Sequence, residues 1–271
     1  MSTTSDTTFS GSIPEIYDRL LVPLIFEPYA RDLAERVAKL KPQAVLEIAA
    51  GTGVVTRELA ARLPAGTWQV ATDLNQPMLD YARAKQPKDG RIEWRQADAL
   101  DLPFDDKAFD VVLCQFGAMF FPDKVRAYRE ARRLLKPGGH FVFNVWDRIS
   151  ENDFAGTITE ALAARFPSDP PRFLARTPHG YYDVAQLRAD LNAAGFTEVV
   201  TEEVGATSRA SSARVPAVAY CQGTPLRAEI EARDPAGLEA ATDDAAEALA
   251  QSFGHAAVEG RIRAIVITAA G

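Results

Sequence analysis

The sequence predicts an α/β fold built on one mostly parallel, doubly wound sheet, and two observations support this prediction. From residue 44 onward, short apolar runs alternate with stretches of helical periodicity. Continuous apolar runs are typical of strands buried on both faces, and their alternation with helices indicates parallel strands joined by right-handed crossovers. The length of 271 residues, with 47% hydrophobic and 25% charged side chains, suits one large domain with insertions better than two full domains.

The segment before the first strand, residues 13–40, has a helical pattern that Pro23 and Pro28 interrupt. Its apolar side chains are too numerous for a helix exposed to solvent, so we expect the segment to dock on the body of the protein. Residues 1–12 are rich in serine and threonine, and we expect them to be disordered. Residues 1–40 are therefore predicted as a disordered tail followed by N-terminal helices.

Seven apolar runs predict strands, and helical patterns separate most of them. The predicted strands are residues 44–48, 68–73, 92–96, 111–115, 140–145, 198–204 and 263–269. The predicted helices are residues 54–63, 76–85, 123–135 and 184–194, while the crossover at 100–106 is short and turn-like. The Lys-Pro-Gly-Gly turn at residues 136–139 predicts an abrupt helix end that is followed directly by the fifth strand.

Two insertions interrupt the alternating pattern in the second half of the chain. The first, at about residues 147–182, contains one helical stretch and a proline-rich loop. The second, at about residues 206–254, is alanine-rich and has a mostly helical pattern. We therefore predict one domain over residues 41–271 that carries both insertions.

Composition argues against several classes of function. The formal net charge of −7 argues against a nucleic-acid partner, which would require a basic face. Two cysteines cannot form a disulfide framework, and no spacing of cysteine and histidine is typical of a zinc site, so we predict no metal. No apolar stretch approaches the roughly 20 residues that span a bilayer, and no secretory signal is visible. We therefore expect a cytoplasmic protein without stable membrane insertion.

The first predicted strand ends in a glycine-rich turn, VLEIAAGTG at residues 45–53, and a helix follows at once. Gly51 and Gly53 let the backbone approach a ligand closely, and the N-terminus of the helix offers N–H groups to an anion. Many nucleotide-binding proteins share such a turn, and a tight turn without any ligand is the alternative.

Glu47 and Thr56 distinguish between the possible ligands of this turn. A dinucleotide would lay its pyrophosphate over the turn, where the Glu47 carboxylate would repel it, and position 56 lacks the third glycine of the dinucleotide pattern. S-adenosylmethionine carries a sulfonium and an ammonium that a carboxylate attracts, and its own carboxylate can meet the helix N-terminus. The turn therefore favours S-adenosylmethionine over a dinucleotide.

Two further acids follow the second and third predicted strands. Asp73 is placed to accept hydrogen bonds from ribose hydroxyls, although it could instead cap the helix at 76–85, a role that Asn75 could fill equally well. Asp98 can accept from the exocyclic amine of adenine while the Ala99 N–H donates to a ring nitrogen, although Asp98 could instead cap its own loop. Acids or glycines thus stand in order at the carboxyl ends of three strands, where open α/β sheets bind ligands.

Five motifs together resemble the class I S-adenosylmethionine-dependent methyltransferases that act on small molecules, and the pattern is most similar to the ubiquinone/menaquinone-biosynthesis C-methyltransferases. The motifs are VLEIAAGTG at 45–53, TDLNQPML at 72–79, ADALDLPF at 97–104, FDVV at 109–112 and RLLKPGG at 133–139. The resemblance covers residues 44–145. It implies a Rossmann-like sheet of seven strands in the order 3-2-1-4-5-7-6, with the last strand antiparallel, and S-adenosyl-L-methionine as the cofactor.

The resemblance also assigns the cofactor-binding residues to three groups. The first group holds the methionine end of the cofactor, the second holds the ribose, and the third flanks the adenine or contacts its edge. In that order they are Glu47, Ala49, Gly51, Thr52 and Gly53, then Asp73, then Leu74, Met78, Leu100, Asp98 and Ala99. Gln115 would lie under the cofactor, and Tyr17 belongs to the N-terminal lid segment that closes over it. The chain departs from the family at Ala49, where glycine is usual, but a methyl group is a small intrusion and we expect binding to persist.

Methyl transfer to a small-molecule acceptor is the function that the resemblance implies. An oxygen or nitrogen acceptor would also require a base, and His179 and Tyr181, in the loop at 177–182, are the candidate catalytic residues; a solvated loop is the alternative. Apolar side chains in the lid segment and the insertions favour an apolar or aromatic acceptor, unless they only dock these segments. We expect a monomer or a homodimer. The alternative functions are a nicotinamide-dependent oxidoreductase and a cofactor-binding protein of the same fold without turnover.

Overall fold

A seven-stranded sheet in the order β3-β2-β1-β4-β5-β7-β6 organises the protein. The computed structural model describes residues 13–86 and 90–271, so the tail that we expect to be disordered, residues 1–12, lies outside the described residues. The strands are β1 Ala44–Glu47, β2 Trp68–Asp73, β3 Ile92–Gln96, β4 Phe109–Gln115, β5 Leu135–Trp146, β6 Glu198–Ala210 and β7 Val258–Ala270. The sheet is mixed, and its strand order and Rossmann-like class confirm the fold predicted from the sequence.

The central strand β1 pairs in parallel with both β2 and β4. In turn, β2 pairs in parallel with β3, and β4 pairs in parallel with β5. Because parallel strands end at the same edge of a sheet, the carboxyl ends of β1 to β5 meet along one edge, where open α/β sheets bind their ligands. Three predicted site residues, Glu47, Asp73 and Gln115, are the last residues of β1, β2 and β4.

The chain divides into two compact units, each assembled from several chain segments. The first, called the sheet unit below, comprises Glu27–Val145, Tyr182–Glu203 and Ile265–Gly271. The second, called the helical unit, comprises residues 13–26, Trp146–Tyr181 and Val204–Ala264. The domain boundaries proposed from the sequence, 1–40 and 41–271, stay a prediction.

Helices occupy both units. Those of the sheet unit are α2 Glu27–Lys39, α3 Val54–Arg62, α4 Gln76–Lys85, α5 Lys124–Leu134 and α8 Val184–Ala194, with a 3-10 turn at Ala118–Phe120. Those of the helical unit are α1 Ile13–Ile16, a π-helical segment Tyr17–Phe26, a 3-10 turn Ile149–Glu151, α6 Asp153–Arg165, α7 Phe173–Arg176, α9 Arg214–Gln222, α10 Leu226–Arg233 and α11 Leu238–Phe253. None of the helices in the described ranges has the length and apolar character to cross a membrane.

Aromatic packing holds α5 on the sheet. The rings of Phe141 and Phe143 in β5 stack with centroids 4.6 Å apart, and the Tyr128 ring of α5 lies 5.3 Å from Phe143. Phe196, in the loop after α8, lies 5.9 Å from Phe141, and α8 packs against α5. Buried aromatic clusters of this kind contribute much of the stability of a core. The packing of α5 on β5 therefore stabilises the sheet whose carboxyl edge carries the predicted site.

Hydrogen bonds join the three segments of the helical unit. Ser208 Oγ in β6 donates to the Leu24 carbonyl at 2.8 Å, which ties the third segment to the first. The Asp147 carboxylate accepts from Arg263 Nε at 2.5 Å, and Asn152 Oδ1 accepts from the Arg263 N–H at 3.2 Å, which ties the third segment to the second. The helix α11 packs against α6 and α9 and completes this unit.

The fifth strand follows directly on α5, which ends at Leu134, but it begins at Leu135 and not at residue 140 as predicted. Leu135 pairs with Phe109, and the next pair joins His140 to Val111, so residues 136–139 bulge out of the ladder. Gly138 has φ +78°, a conformation that bulges commonly place on glycine. The sequence pattern missed this because a ladder can continue through residues that are neither apolar nor strand-forming.

The last two strands and the N-terminal helices also differ from the prediction. β6 continues to Ala210 through mostly exposed or half-exposed positions, and β7 begins at Val258 with buried and exposed positions in alternation, so neither added part is a continuous apolar run. Pro23 lies inside the π-helical segment, and Pro28 is the second residue of α2. A proline in the first turn lacks an N–H that would have no helical partner there anyway, so Pro28 does not break α2.

Candidate functional site

The turn after β1 has left-handed backbone at three positions. φ is +55° at Ala49, +58° at Gly51 and +79° at Gly53, which is also the N-cap of α3. A Cβ on Gly53 would lie 3.0 Å from the Trp94 ring and 3.1 Å from the Ala82 Cβ. Glycine at position 53 is therefore required both for the backbone conformation and for the close approach of α4 and β3.

Ala49, the residue that departs from the resembled family, has its methyl group accommodated by a glycine opposite. A Cβ on Gly117 would lie 2.6 Å from the Ala49 Cβ and 2.7 Å from the Cys114 Sγ. A left-handed alanine costs about 1–2 kcal/mol relative to a right-handed one. The structure tolerates the methyl group at position 49 because position 117 has no side chain.

Glu47 is a fully buried acid, and within the described ranges its one hydrogen-bond partner is Thr56. Thr56 Oγ1 donates to Glu47 Oε2 at 2.6 Å, and no donor in the described part of the chain reaches Oε1. Burial raises the pKa of Glu47 to about 8, against the hydrogen bond from Thr56 and the field of Arg57, while the nearby charge of Asp73 raises it further. A cation close to Oε1 would return this group to its carboxylate form.

Asp73 links the turn after β1 to the turn after β2. Its Oδ2 accepts from the Gly51 N–H at 2.9 Å, and its Oδ1 accepts from the Asn75 N–H at 2.8 Å. Asn75 is the N-cap of α4 but makes no side-chain cap bond. Burial raises the pKa of Asp73, and the hydrogen bonds from Asn75 and Gly51 oppose this shift. Asp73 therefore organises the two turns on either side of it, and its contact with ribose stays a prediction.

The predicted adenine-binding residues lie around the ends of β2 and β3. Asp98 is exposed, and its Oδ1 accepts from the Leu100 N–H at 2.9 Å, so it caps its own loop, as the alternative interpretation held. Leu74 is 49% exposed, whereas Met78 and Ala99 are buried. Binding of adenine by these residues stays a prediction.

Two polar side chains beside the turn have buried oxygens without partners. Thr52 Oγ1 and Gln115 Oε1 are both shielded from solvent, and neither has a hydrogen-bond partner in the described residues. An unsatisfied buried polar group costs about 1–3 kcal/mol, so such groups in a native fold commonly mark a bound ligand or water. Both residues are in the predicted cofactor-binding set.

His179, Tyr181 and Tyr17 belong to the helical unit, whereas the other predicted site residues belong to the sheet unit. His179 is buried, its Nδ1 lies 2.9 Å from the Asp147 carbonyl oxygen, and its ring centroid lies 5.9 Å from that of Trp146. Because the carbonyl only accepts, Nδ1 carries the proton and Nε2 has the free lone pair. Burial lowers the pKa of His179 to about 4, against the bond to Asp147. Tyr181 is also buried, and Tyr17 stacks on Phe26 at 5.0 Å.

Sequence reasoning missed two residues of this region. In the sequence, Thr56 served only to show that the third glycine of the dinucleotide pattern is missing. In the structure, its hydroxyl donates a hydrogen bond to Glu47. Asn144 is a fully buried amide near the end of β5, and its Nδ2 has no partner in the described residues. A single polar residue inside the apolar run of residues 141–146 was the available signal. Within the described ranges, no three histidine, cysteine or acidic side chains gather as a metal site would require.

Comparison with known proteins identifies the family. A model described as a methyltransferase domain matches residues 46–143. The chain is 41% identical over 172 residues to a demethylmenaquinone methyltransferase from Clavibacter sepedonicus, which covers 60% of this chain and 69% of the relative. The chain belongs to the class I S-adenosylmethionine-dependent methyltransferases.

Two further similarities agree with the assignment of this chain to the methyltransferase family. It is 34% identical over 170 residues to the ubiquinone/menaquinone biosynthesis C-methyltransferase UbiE from Idiomarina loihiensis, covering 57% of this chain and 66% of the relative. A solved structure of a Bacillus halodurans protein has the same fold, with a TM-score of 0.56 and 21% identity over 88% of this chain and 97% of the other. The methyltransferase spans about two thirds of the length of the two curated relatives.

The residues present in the sheet unit fit S-adenosyl-L-methionine, the cofactor of this methyltransferase. The cofactor is cationic at its sulfonium and ammonium, and among the residues that the structure describes neither Glu47 Oε1 nor the buried Thr52 hydroxyl has a hydrogen-bond partner. The turn with its left-handed residues leads directly into the N-terminus of α3, which attracts the carboxylate of an amino acid. The alternative of a nicotinamide-dependent oxidoreductase is wrong, because the relatives are methyltransferases.

Proposed function

We infer that this methyltransferase transfers its methyl group to a ring carbon of a small aromatic hydroquinone. The supporting observation is the similarity to two proteins whose names specify a demethylmenaquinone acceptor and a C-methyltransferase reaction. This inference makes the sequence-based expectation of an apolar or aromatic small-molecule acceptor more specific. A hydroquinone ring is electron-rich at carbon, so it can act as the nucleophile in an in-line displacement.

The cofactor supplies a methyl group made electrophilic by the sulfonium. In our proposal, Glu47 faces its positive charge, Asp73 holds the ribose, and Gly51, Thr52 and Gly53 surround the methionine end near α3. Asp98 and Ala99 read the edge of the adenine. Further contacts come from Ala49, Leu74, Met78, Leu100, Gln115 and Tyr17. Orienting the acceptor and excluding water is the protein's share of the catalysis.

His179 is the proposed base, and Tyr181 is the proposed neighbour that orients the acceptor. Attack by the ring carbon forms a carbon–carbon bond to the methyl group while the bond from that methyl group to sulfur breaks, and S-adenosylhomocysteine leaves. The acceptor then carries one proton too many, and loss of a proton from the ring carbon or a hydroxyl restores a neutral aromatic product. His179 holds its proton on Nδ1 against the Asp147 carbonyl, so the lone pair of Nε2 can take the proton that leaves. Its low pKa keeps it neutral, and therefore ready to accept, throughout the physiological range.

The cofactor part of the proposal is tested by calorimetry with S-adenosylhomocysteine. We expect Asp73→Asn to weaken binding at least tenfold, because it removes a charged acceptor from the ribose hydroxyls. The exposed Asp80 of α4 offers a matched control, and Asp80→Asn should leave binding unchanged. Equal affinities for wild type and Asp73→Asn would overturn the role of Asp73.

The acceptor part is tested by incubating the enzyme with S-adenosylmethionine and a panel of hydroquinones, phenols and amines. We expect S-adenosylhomocysteine to be released with hydroquinones, and mass spectrometry to place the new methyl group on carbon. Exclusive transfer to oxygen or nitrogen would overturn the proposal. Reducing conditions are required because the oxidised quinone ring is not a nucleophile.

We also propose that the protein works in the cytoplasm as a monomer or homodimer and without a nucleic-acid partner. The net charge of −7 supports the last of these points. Light scattering on the purified protein measures the oligomeric state, and titration with duplex DNA at low salt tests for binding. A larger oligomer, or salt-dependent DNA binding below micromolar concentration, would overturn the corresponding proposal.

A further inference from the structure

Four polar side chains stand at one level along the carboxyl edge of the sheet. Glu47 pairs in register with Ala71 and with Leu113, so Asp73 and Gln115 lie two residues beyond this level on the same face. Gln96 pairs with Asp73, and Asn144 pairs with Gln115. Because partners in parallel strands project to the same face, the four side chains form one row across β3, β2, β4 and β5.

The turn after β1 divides this row into two pairs. On the side of β2 and β3, both polar side chains form hydrogen bonds. Asp73 accepts from the Gly51 N–H, and Gln96 Nε2 donates to the Leu74 carbonyl at 2.8 Å. On the side of β4 and β5, Gln115 Oε1 and Asn144 Nδ2 are buried and have no partner in the described residues. The two halves of the row are therefore not equivalent.

The orientation of the Asn144 amide is fixed by the backbone. Asn144 Oδ1 accepts from the Phe116 N–H at 2.9 Å, so the other atom of the amide must be the donor Nδ2. The Phe116 N–H itself follows directly on Gln115 at the end of β4. The side chains of Gln115 and Asn144 start from neighbouring strands, about 5 Å apart, yet no hydrogen bond joins them.

A hydroxyl group on a ligand matches this pair of amides. Asn144 Nδ2 can only donate and Gln115 Oε1 can only accept, while a hydroxyl both accepts and donates. An ammonium would meet the positive end of the Asn144 amide, and a carboxylate would meet the Gln115 oxygen. A neutral hydroxyl satisfies both atoms at once and removes the cost of leaving them unpaired.

We propose that Gln115 and Asn144 together bind a hydroxyl group of the methyl acceptor, next to the carbon that is methylated. The proposal rests on the proposed function, in which the nucleoside of the cofactor occupies the β2 and β3 side and its methionine end occupies the turn after β1. The β4 and β5 side then remains for the acceptor. Gln115 thereby serves the acceptor, in addition to or in place of its expected position under the cofactor.

The test uses Gln115→Met and Asn144→Asp in the full chain. Methionine resembles glutamine in length but cannot accept a strong hydrogen bond, and aspartate keeps the Oδ1 that holds the Phe116 N–H while removing the amide donor. Gln186→Met, on the exposed surface of α8, is the matched control. Thermal melts and circular dichroism establish that each variant is folded, and the two variants test the two amides separately.

The probes are 1,4-naphthohydroquinone and 1,4-dimethoxynaphthalene, titrated into the enzyme saturated with S-adenosylhomocysteine. We expect wild type to bind the hydroquinone at least tenfold more tightly than the dimethyl ether, which cannot donate a hydrogen bond. In Gln115→Met this ratio should fall about tenfold, which corresponds to one lost hydrogen bond, because Gln115 Oε1 is the atom that accepts from a hydroxyl and finds no donor on an ether. Asn144→Asp should instead weaken binding of the dimethyl ether about tenfold, because the ether oxygen loses its donor Nδ2, while the affinity of this variant for S-adenosylhomocysteine changes less than twofold. Gln186→Met should behave as wild type.

Three outcomes would overturn the inference. The first is a wild-type enzyme that binds both probes equally, and the second is a Gln115→Met variant that keeps the wild-type ratio or an Asn144→Asp variant that binds the dimethyl ether as tightly as wild type. The third is a loss of S-adenosylhomocysteine affinity without a change in the probe ratio, which would assign the amides to the cofactor. Failure of the proposed function is distinguishable, because then wild type would bind no S-adenosylhomocysteine or would methylate no hydroquinone.

Discussion

Glu47 shows how burial changes the electrostatic meaning of a sequence motif. In the sequence it is a negative charge that selects a positive ligand. In the structure it lies fully buried with only Thr56 as a hydrogen-bond partner among the described residues, and its pKa is raised to about 8. Without its cation the group is therefore mostly protonated at neutral pH, and the selection for positive charge operates through the release of a proton.

The stability of the folded protein should fall with pH because of Glu47. Its pKa is raised from an ordinary value of 4.5, so between pH 4.5 and about 8 the unfolded chain is ionised at this residue while the folded chain is protonated. We expect Glu47→Gln to gain stability relative to wild type as the pH rises from 5 to 8, measured by urea denaturation. The exposed Glu93→Gln should show no such trend, and a constant difference for Glu47→Gln would contradict the prediction.

Ala49 and Gly117 should be energetically coupled. Gly117→Ala places a methyl group within 2.6 Å of the Ala49 Cβ, and we expect a loss of about 2 kcal/mol in the free energy of unfolding. In the Ala49→Gly background the loss should be smaller by about 1 kcal/mol, since one of the two clashing groups is gone. A double-mutant cycle by urea denaturation measures this coupling, and additive effects would refute it. The remaining contact with Cys114 explains why the rescue is partial.

At the scale of single elements, Asp110 fixes the beginning of β1. Its Oδ2 accepts from the N–H groups of Gln43 and Ala44, both at 2.8 Å, and its Oδ1 accepts from Lys136 Nζ at 2.9 Å. Desolvation raises the pKa of Asp110, but the hydrogen bonds from Lys136, Gln43 and Ala44 lower it by more, so the pKa lies below its ordinary value. The carboxylate thus joins β1 and the bulge of β5 through one residue of β4.

We expect Asp110→Ala to cost about 2–3 kcal/mol of stability at neutral pH, because three hydrogen bonds to a charged acceptor are lost. Lys136→Met removes only the half-exposed ion pair and should cost less than about 1 kcal/mol. Because the pKa of Asp110 is lowered, this difference between the variants should disappear as the pH falls below that lowered value. Equal losses for the two variants at pH 7 would show that the backbone contacts contribute nothing.

The sequence predicted the existence and order of the central elements well, because buried parallel strands read as apolar runs. β2, β3, α4 and α8 have the predicted bounds. The start of β5 and the lengths of β6 and β7 could not be predicted, because a ladder through a bulge or an exposed strand follows from pairing partners and not from apolar character. The same limit explains why Asn144 was missed: its importance depends on its register partner Gln115.

At the scale of the whole molecule, the predicted site residues divide between the two units. The motif-bearing residues from Glu47 to Gln115 lie in the sheet unit, whereas Tyr17, His179 and Tyr181 lie in the helical unit. The motifs could be found from sequence because turns at the carboxyl edge require particular residue types. The loop at 177–182 has no such constraint, so its assignment rested on the presence of a histidine alone.

This division predicts that changes at His179 affect turnover but not cofactor affinity. We expect His179→Ala to lower kcat at least 100-fold with hydroquinone acceptors, in the range usual for loss of a general base, while the S-adenosylhomocysteine affinity stays within twofold. The wild-type kcat should be flat from pH 5.5 to 8, because the pKa of His179 is about 4. His255→Ala, at an exposed position of the helical unit, is the control. A wild-type pH profile that falls below pH 7 would exclude His179 as the base.

The hydrogen bond between Ser208 and the Leu24 carbonyl can form only late in the synthesis of the chain on the ribosome. Its two ends are 184 residues apart in the chain. At synthesis rates of about 5–20 residues per second, roughly 10–40 s pass between the emergence of Leu24 and that of Ser208. During this interval the apolar segment around Leu24 must wait without its native neighbour from β6. The nascent chain should therefore be a client of chaperones that bind apolar segments, until the second half of the helical unit has been made.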